Sequence, residues 1–183
     1  MFEKGEAKPL VSPTGYDRRF AASTRGSHAL TRLASQVVLP DQIELPTDRP
    51  IIIAANHSSL YDLIAALRFL GHYGLTCRIG VNARFFSNPA AGAFLRGIGC
   101  IPFRKGDGGA AETAMVEALE AGQAAAIMPE GRITRPEDQT NGVGPGRPGI
   151  SRIARRSGAA VLPIGFAFAN EAWAPGTLSL IHI

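Results

Sequence analysis

The chain has 183 residues, a formal net charge of +4 and a pI near 9.5. That length fits a single domain with a substantial core, and no run of about 18 or more apolar residues reads as a membrane-spanning helix. The basic balance suits nucleic acid, a membrane surface or an anionic small substrate, while Cys77 and Cys100 fit neither a disulfide framework nor a metal motif and suit a reducing compartment.

Residues 1–26 read as a poorly ordered basic arm, rich in Gly, Pro, Ser and charge, with Arg18, Arg19 and Arg25 near its end. Its opening, Met1-Phe2-Glu3-Lys4-Gly5-Glu6, lacks the apolar centre of a signal peptide. Residues 27–183 read as one domain. Ala29, Leu30, Leu33, Ala34, Val37 and Val38 recur at helical spacing, and Pro40 ends that pattern. The stripe is either packed on the domain or laid on lipid.

From Pro50 strands and helices alternate. Ile51 to Ala55 is a buried strand, and Ser59 to Leu70 a helix capped by Ser58 or Ser59 and closed by Gly71. Cys77 to Asn82 is a strand, Ala90 to Ile98 a helix ended by Gly99, and Cys100 to Phe103 a short strand. Gly109 to Ala121 is the clearest helix. Ala111, Ala114, Met115, Ala118 and Leu119 make its apolar face, Glu112, Glu117 and Glu120 face water, and Gly122 stops it. Ala124 to Met128 is a strand, 136–148 a polar loop, Ile150 to Arg156 a helix and Ala160 to Phe166 the last strand. The order predicts an α/β fold with a mostly parallel central sheet and helices on its faces. Leu178-Ser179-Leu180-Ile181-His182-Ile183 stops on apolar residues and reads as a truncated C-terminus. His182 is given no function.

The chemistry gathers at Ala55-Asn56-His57-Ser58-Ser59-Leu60-Tyr61-Asp62, where a buried strand turns into a helix. His57 and Asp62 are five apart, so they meet only if His57 lies on the turn and Asp62 within the helix. Taking a proton from a hydroxyl needs a base, and His is the side chain with an ordinary pKa nearest neutrality. A carboxylate beside it fixes its tautomer and stabilises the imidazolium. His57 is thus the candidate general base and Asp62 its orienter. The plainer alternative is a capping His and a first-turn Asp. His72 follows Gly71 at a helix end, where His commonly meets carbonyls. Its spacing to His57, Asp62 and Glu130 matches no metal motif, and none is expected.

Three further blocks follow: Gly99-Cys100-Ile101-Pro102-Phe103-Arg104, Met128-Pro129-Glu130-Gly131-Arg132, and Val161-Leu162-Pro163-Ile164-Gly165. A guanidinium at Arg104, ending a strand, can grip a phosphate, with Lys105 a weaker candidate. Gly131 allows close backbone approach to a ligand. Pro163 marks an edge, a bulge or a ligand-facing break in its strand. Pro145-Gly146-Arg147-Pro148-Gly149 opens a helix carrying Arg152, Arg155 and Arg156, a face that is either solvated or turned to anionic lipid or carrier phosphates. Asn141-Gly142-Val143-Gly144 follows no strand and is discounted as a phosphate loop.

With Asn-His-x-x-x-x-Asp, these blocks stand in the order found in the glycerolipid acyltransferases, and the chain resembles that family's lysophosphatidic acid (1-acyl-sn-glycerol-3-phosphate) type over roughly Pro50 to Phe166. The resemblance implies a glycerol-3-phosphate acyltransferase-like fold. It gives the same dyad roles to His57 and Asp62, and phosphate or glycerol contacts to Arg104, Glu130, Gly131 and Arg132. The third block departs from the commoner Glu-Gly-Thr-Arg-Ser: Arg132 directly follows Gly131 and Thr134 comes two later, as in lysophosphatidylethanolamine-acylating enzymes. The implied activity is transfer of a fatty acyl group from acyl-CoA or acyl-carrier protein to a lysophospholipid hydroxyl, first of all lysophosphatidic acid. No cofactor is implied. The implied place is cytoplasmic, at the inner membrane face on anionic lipid, without nucleic acid. Other acceptors (lysophosphatidylethanolamine, a glycolipid or a polyketide alcohol) and a non-catalytic membrane-associating module are the alternatives. A nucleotide-binding domain would need a Gly-rich turn where Asn56-His57-Ser58 stands.

Overall fold

A computed structural model of the chain describes residues 15–34, 38–40, 43–59, 61–104, 106, 108–168 and 181–182. Five parallel strands form the central sheet: β1 (Ile51–Ala55), β2 (Cys77–Asn82), β3 (Ile101–Phe103), β4 (Ala124–Ile127) and β5 (Ala160–Ile164), in the spatial order β3-β2-β4-β1-β5. Five α-helices accompany them among the described residues: α1 (Gly15–Ala34), α2 (Asp62–His72), α3 (Pro89–Gly97), α4 (Gly108–Glu120) and α5 (Gly149–Ser157). Beyond the sheet, β6 (Ala167–Phe168) pairs antiparallel with β7 (Ile181–His182).

The apolar run of β1 explains its place. A strand covered on both faces has no polar side to show, so it carries continuous hydrophobics. Ile52 packs with Met115, Leu119, Ala125 and Ile153, the layer made with α4 and α5. Ile51 and Ile53 face the opposite layer, with Phe20, Leu67, Phe69 and Leu70 of α1 and α2. At roughly 1.5–3 kcal/mol for each fully buried large aliphatic side chain, these two layers are the main stabilising element of the fold. Because all strands are parallel, the turns after β1, β3, β4 and β5 emerge on one edge. Pro163 stands on β5, an edge strand paired only with β1, where a missing N–H costs no ladder bond.

Several local expectations change. The first helix begins at Gly15, inside the stretch read as an unordered arm. α2 begins at Asp62, after Ser58 and Ser59, with no side-chain cap at Tyr61. Gly71 does not close α2 but lies within it. A Cβ there would stand 2.7 Å from Cβ of Thr24, so the missing side chain is what lets α1 lie close on α2, and Gly74 (φ +65°) follows the helix end. Glu112 does not face water. It is buried and ion-paired with Arg152 of α5, which holds its carboxyl below the usual carboxylate range. Asn88 caps α3 with Pro89 at its first turn, the combination that pre-sets a helix start.

Candidate active site

The turn after β1 holds the dyad. Nδ1 of His57 lies 2.8 Å from Oδ2 of Asp62, and the same oxygen accepts the N–H groups of Ser58 (2.8 Å) and Ser59 (2.9 Å). One carboxylate oxygen at the start of α2 therefore shapes the turn and orients the imidazole together. The Asp62 side chain is fully buried, whereas that of His57 keeps 22% exposure. Asp62 Oδ1 is buried with no hydrogen-bond partner among the described residues. The offset of five thus works as the sequence requires: His57 on the turn, Asp62 in the first turn of the helix.

Two residues of the segment after β4 grip the backbone of His57. Glu130 Oε1 accepts the His57 N–H at 2.9 Å, and the Thr134 N–H donates to the His57 carbonyl at 2.8 Å. The Thr134 hydroxyl donates to the other carboxylate oxygen, Oε2. Glu130 and Thr134 are 4% and 1% exposed. Asn56 ties the turn to the other neighbour: its Oδ1 accepts the Phe166 N–H (2.6 Å) and its Nδ2 donates to the Phe166 carbonyl (2.9 Å). Each carboxylate oxygen of Glu130 thus accepts from a protein donor.

The cations behave differently. Arg104 is exposed just after β3, three strands from β1, or about 14 Å away at ~4.8 Å per strand. Gly131 adopts φ +66°, and a Cβ there would stand 3.0 Å from Nε of Arg147. Arg147, which the sequence reading placed only at a helix start, lies over that turn and donates its backbone N–H to the Pro129 carbonyl at 2.8 Å. Arg132 is exposed and stands 4.0 Å from Asp138. Lys105 lies outside the described residues. Arg152 is committed to Glu112, and Arg156 to the Thr113 hydroxyl at 3.2 Å, so the basic face of α5 is partly spent on packing α4. Thr140-Asn141-Gly142-Val143 is a tight hairpin with positive φ at Asn141 and Gly142.

A small apolar hollow of about 30 Å³ lies between the sheet and α2. Ala55, Met128 and Phe166, from the ends of β1 and β4 and the residue span after β5, line the part nearest His57. Ile53, Phe69 and Ile79 line another part. The register puts Ala126 between Ile53 and Ile79, so one small side chain leaves a hollow in an otherwise bulky row. Both cysteines are buried, and burial pushes the Cys77 thiol far up and the Cys100 thiol up to about 12, the setting of inert rather than reactive thiols.

A family model described as Acyltransferase matches residues 36–167. The chain belongs to the acyltransferase family. The dyad, the turns after β3 and β4 and all of β5 fall within the matched span. This acyltransferase also has the fold of a 1-acyl-sn-glycerophosphate (LPA) acyltransferase, PlsC from Thermotoga maritima. The two align with a TM-score of 0.64 and 22% identity, over 94% of this chain and 68% of that one. The resemblance read from the four sequence blocks and the expected parallel α/β architecture are both shown. A comparison with curated proteins finds no match. No described helix of the acyltransferase is long and apolar enough to cross a membrane.

Proposed function

We propose that this acyltransferase transfers a fatty acyl group from a CoA or acyl-carrier-protein thioester to the free hydroxyl of a lysophospholipid, first of all lysophosphatidic acid, giving phosphatidic acid. The observation that carries this reading is the His57–Asp62 dyad standing beside an apolar pocket on the strand-end edge. With its proton on Nδ1 donated to Asp62, His57 keeps the Nε2 lone pair for the acceptor hydroxyl. The hydroxyl oxygen attacks the thioester carbonyl carbon as its proton passes to Nε2. The C–S bond then breaks, and the thiolate leaves with a proton from the imidazolium. The alcohol is the substrate's own, so no protein nucleophile is consumed.

The pocket takes the acyl chain, whose burial releases about 0.8 kcal/mol per CH₂. Arg104, Arg132 and Arg147 supply the charge for a phosphate on the acceptor or on the donor. We place the working enzyme at the inner face of the cell membrane, where lysolipid is found and where anionic lipid attracts basic side chains.

The test is thiol release from acyl-CoA and from acyl-carrier-protein thioester, with lysophosphatidic acid, lysophosphatidylethanolamine and a glycolipid offered in turn, in wild type and His57→Ala. Release that needs lysophosphatidic acid and falls by a factor of order 10² to 10⁴ in the variant supports the reading. Release that needs a different acceptor keeps the reaction and changes the substrate. A folded wild type that releases no thiol with any pair overturns the reading.

A further inference from the structure

The bonds around His57 form a closed ring that no catalytic or acceptor role requires. The ring runs from the His57 N–H to Glu130 Oε1, through the carboxyl group to Oε2, to the Thr134 hydroxyl, and back from the Thr134 N–H to the His57 carbonyl. Both backbone polar groups of one residue are thereby held by a neighbouring strand's turn. A buried carboxylate is costly unless it is hydrogen-bonded, and here two donors satisfy it. The wall of the ring is set by Gly144. A Cβ there would stand 2.6 Å from Glu130 Oε2 and would also strike the Thr134 side chain, so any larger residue opens the ring.

We propose that Glu130, Thr134 and Gly144 are positioning residues. They set the height and tilt of the His57 imidazole above the apolar pocket by gripping its backbone, and Glu130 makes no contact with the acceptor. The proposal rests on His57 being the base. Asp62 fixes the imidazole through Nδ1 and the turn after it through the Ser58 and Ser59 N–H groups, but it makes no bond to the N–H or the carbonyl of His57. Glu130 and Thr134 hold those two groups. A displacement of the base by about 1 Å is worth up to about a hundredfold in rate, because the proton and the attacking oxygen must be met in line. An acceptor ligand loses binding when mutated, whereas a positioning residue loses turnover.

The experiment compares Thr134→Val, Thr134→Ser, Glu130→Gln and Gly144→Ala with wild type, measuring kcat, the acceptor KM and the low-field Nδ1–H proton resonance of His57. Val keeps the main-chain bond but removes the hydroxyl, so kcat should fall about tenfold to a hundredfold with acceptor KM within about twofold. Ser should restore kcat. Gln still accepts the His57 N–H through its carbonyl and should retain most of the rate. The resonance should move in Val and return in Ser. Thr134→Val that folds with unchanged kcat and an unmoved resonance overturns the proposal. So does Glu130→Gln that raises acceptor KM at constant kcat. If Thr134→Val does not fold, Gly144→Ala carries the same two readouts. The resonance is read without substrate, so it tests the ring of bonds even if the enzyme acylates none of the acceptors offered. Failure of the proposal and failure of the lysophospholipid reading are therefore separable.

Discussion

Asp62 Oδ2 sits 2.8 Å from His57 Nδ1 while also accepting two backbone N–H groups of the turn between them. The oxygen that orients the imidazole is thus the one that shapes the turn carrying it. Asp62→Asn keeps the size of the side chain but offers a neutral partner to the imidazole. Turnover should fall by a factor of order 10³ to 10⁴, as expected when an orienting carboxylate is neutralised and the tautomer is no longer fixed. Circular dichroism should remain native. Near-wild-type turnover in a folded Asp62→Asn protein would remove Asp62 from the mechanism.

Arg104 stands exposed at the end of β3. Arg104→Ala should raise the KM for a phosphate-bearing acceptor by about tenfold or more at constant kcat, since it removes binding charge present in ground and transition states alike. Steady-state kinetics against lysophosphatidic acid reads this directly. An unchanged KM would leave the phosphate to Arg132 and Arg147.

Ala66 lines the apolar pocket from α2. Ala66→Leu fills space next to Met128 and Phe166, so donors with long acyl chains should lose kcat/KM and shorter ones should be spared. One methylene in an apolar pocket is worth about 1–3 kcal/mol, or roughly tenfold to two-hundredfold in discrimination. A series of acyl-CoA donors of increasing length checks it. A profile that does not move would place the acyl chain elsewhere.

Glu112 is held below the ordinary carboxylate range by its hydrogen bonds with Arg152 and, to a smaller extent, by the nearby Arg156 charge. A carboxyl whose folded-state value is depressed stabilises the fold above its unfolded value. That contribution is lost as pH falls through the folded one. Thermal stability should therefore decline on the acid side more steeply in wild type than in Glu112→Gln, and the two melting curves should converge at low pH. Equal acid sensitivity would show that the α4–α5 pair adds nothing to stability.

The legible part of this protein was local. Three isoleucines in a row at 51–53 demanded a strand covered on both faces, and the five-residue offset between His57 and Asp62 demanded a turn followed by a helix. Both appear because the signals lie within a few residues and depend on pleat and helical period. The misreadings share one cause. Gly71 is written like a helix stop, but its smallness serves the approach of Thr24, and Glu112 is written like a solvent-facing acid, but α5 covers it. Neither partner is near in the chain, so local pattern carried no sign of it. The contacts of Glu130 are hidden from local pattern in the same way: its two carboxylate oxygens accept from His57, 73 residues away, and from Thr134.

The sequence by itself determined the alternation of strands and helices, the parallel sheet, the edge on which the polar turns collect and the pairing of His57 with Asp62. Only the tertiary structure decided what each turn touches. It set Thr134 and Glu130 on the backbone of His57, laid Arg147 over Gly131 and opened a hollow at Ala126 between two isoleucines. Those relations depend on lateral strand order and register, which arise from the simultaneous packing of both faces of the sheet. No single stretch of the chain encodes them.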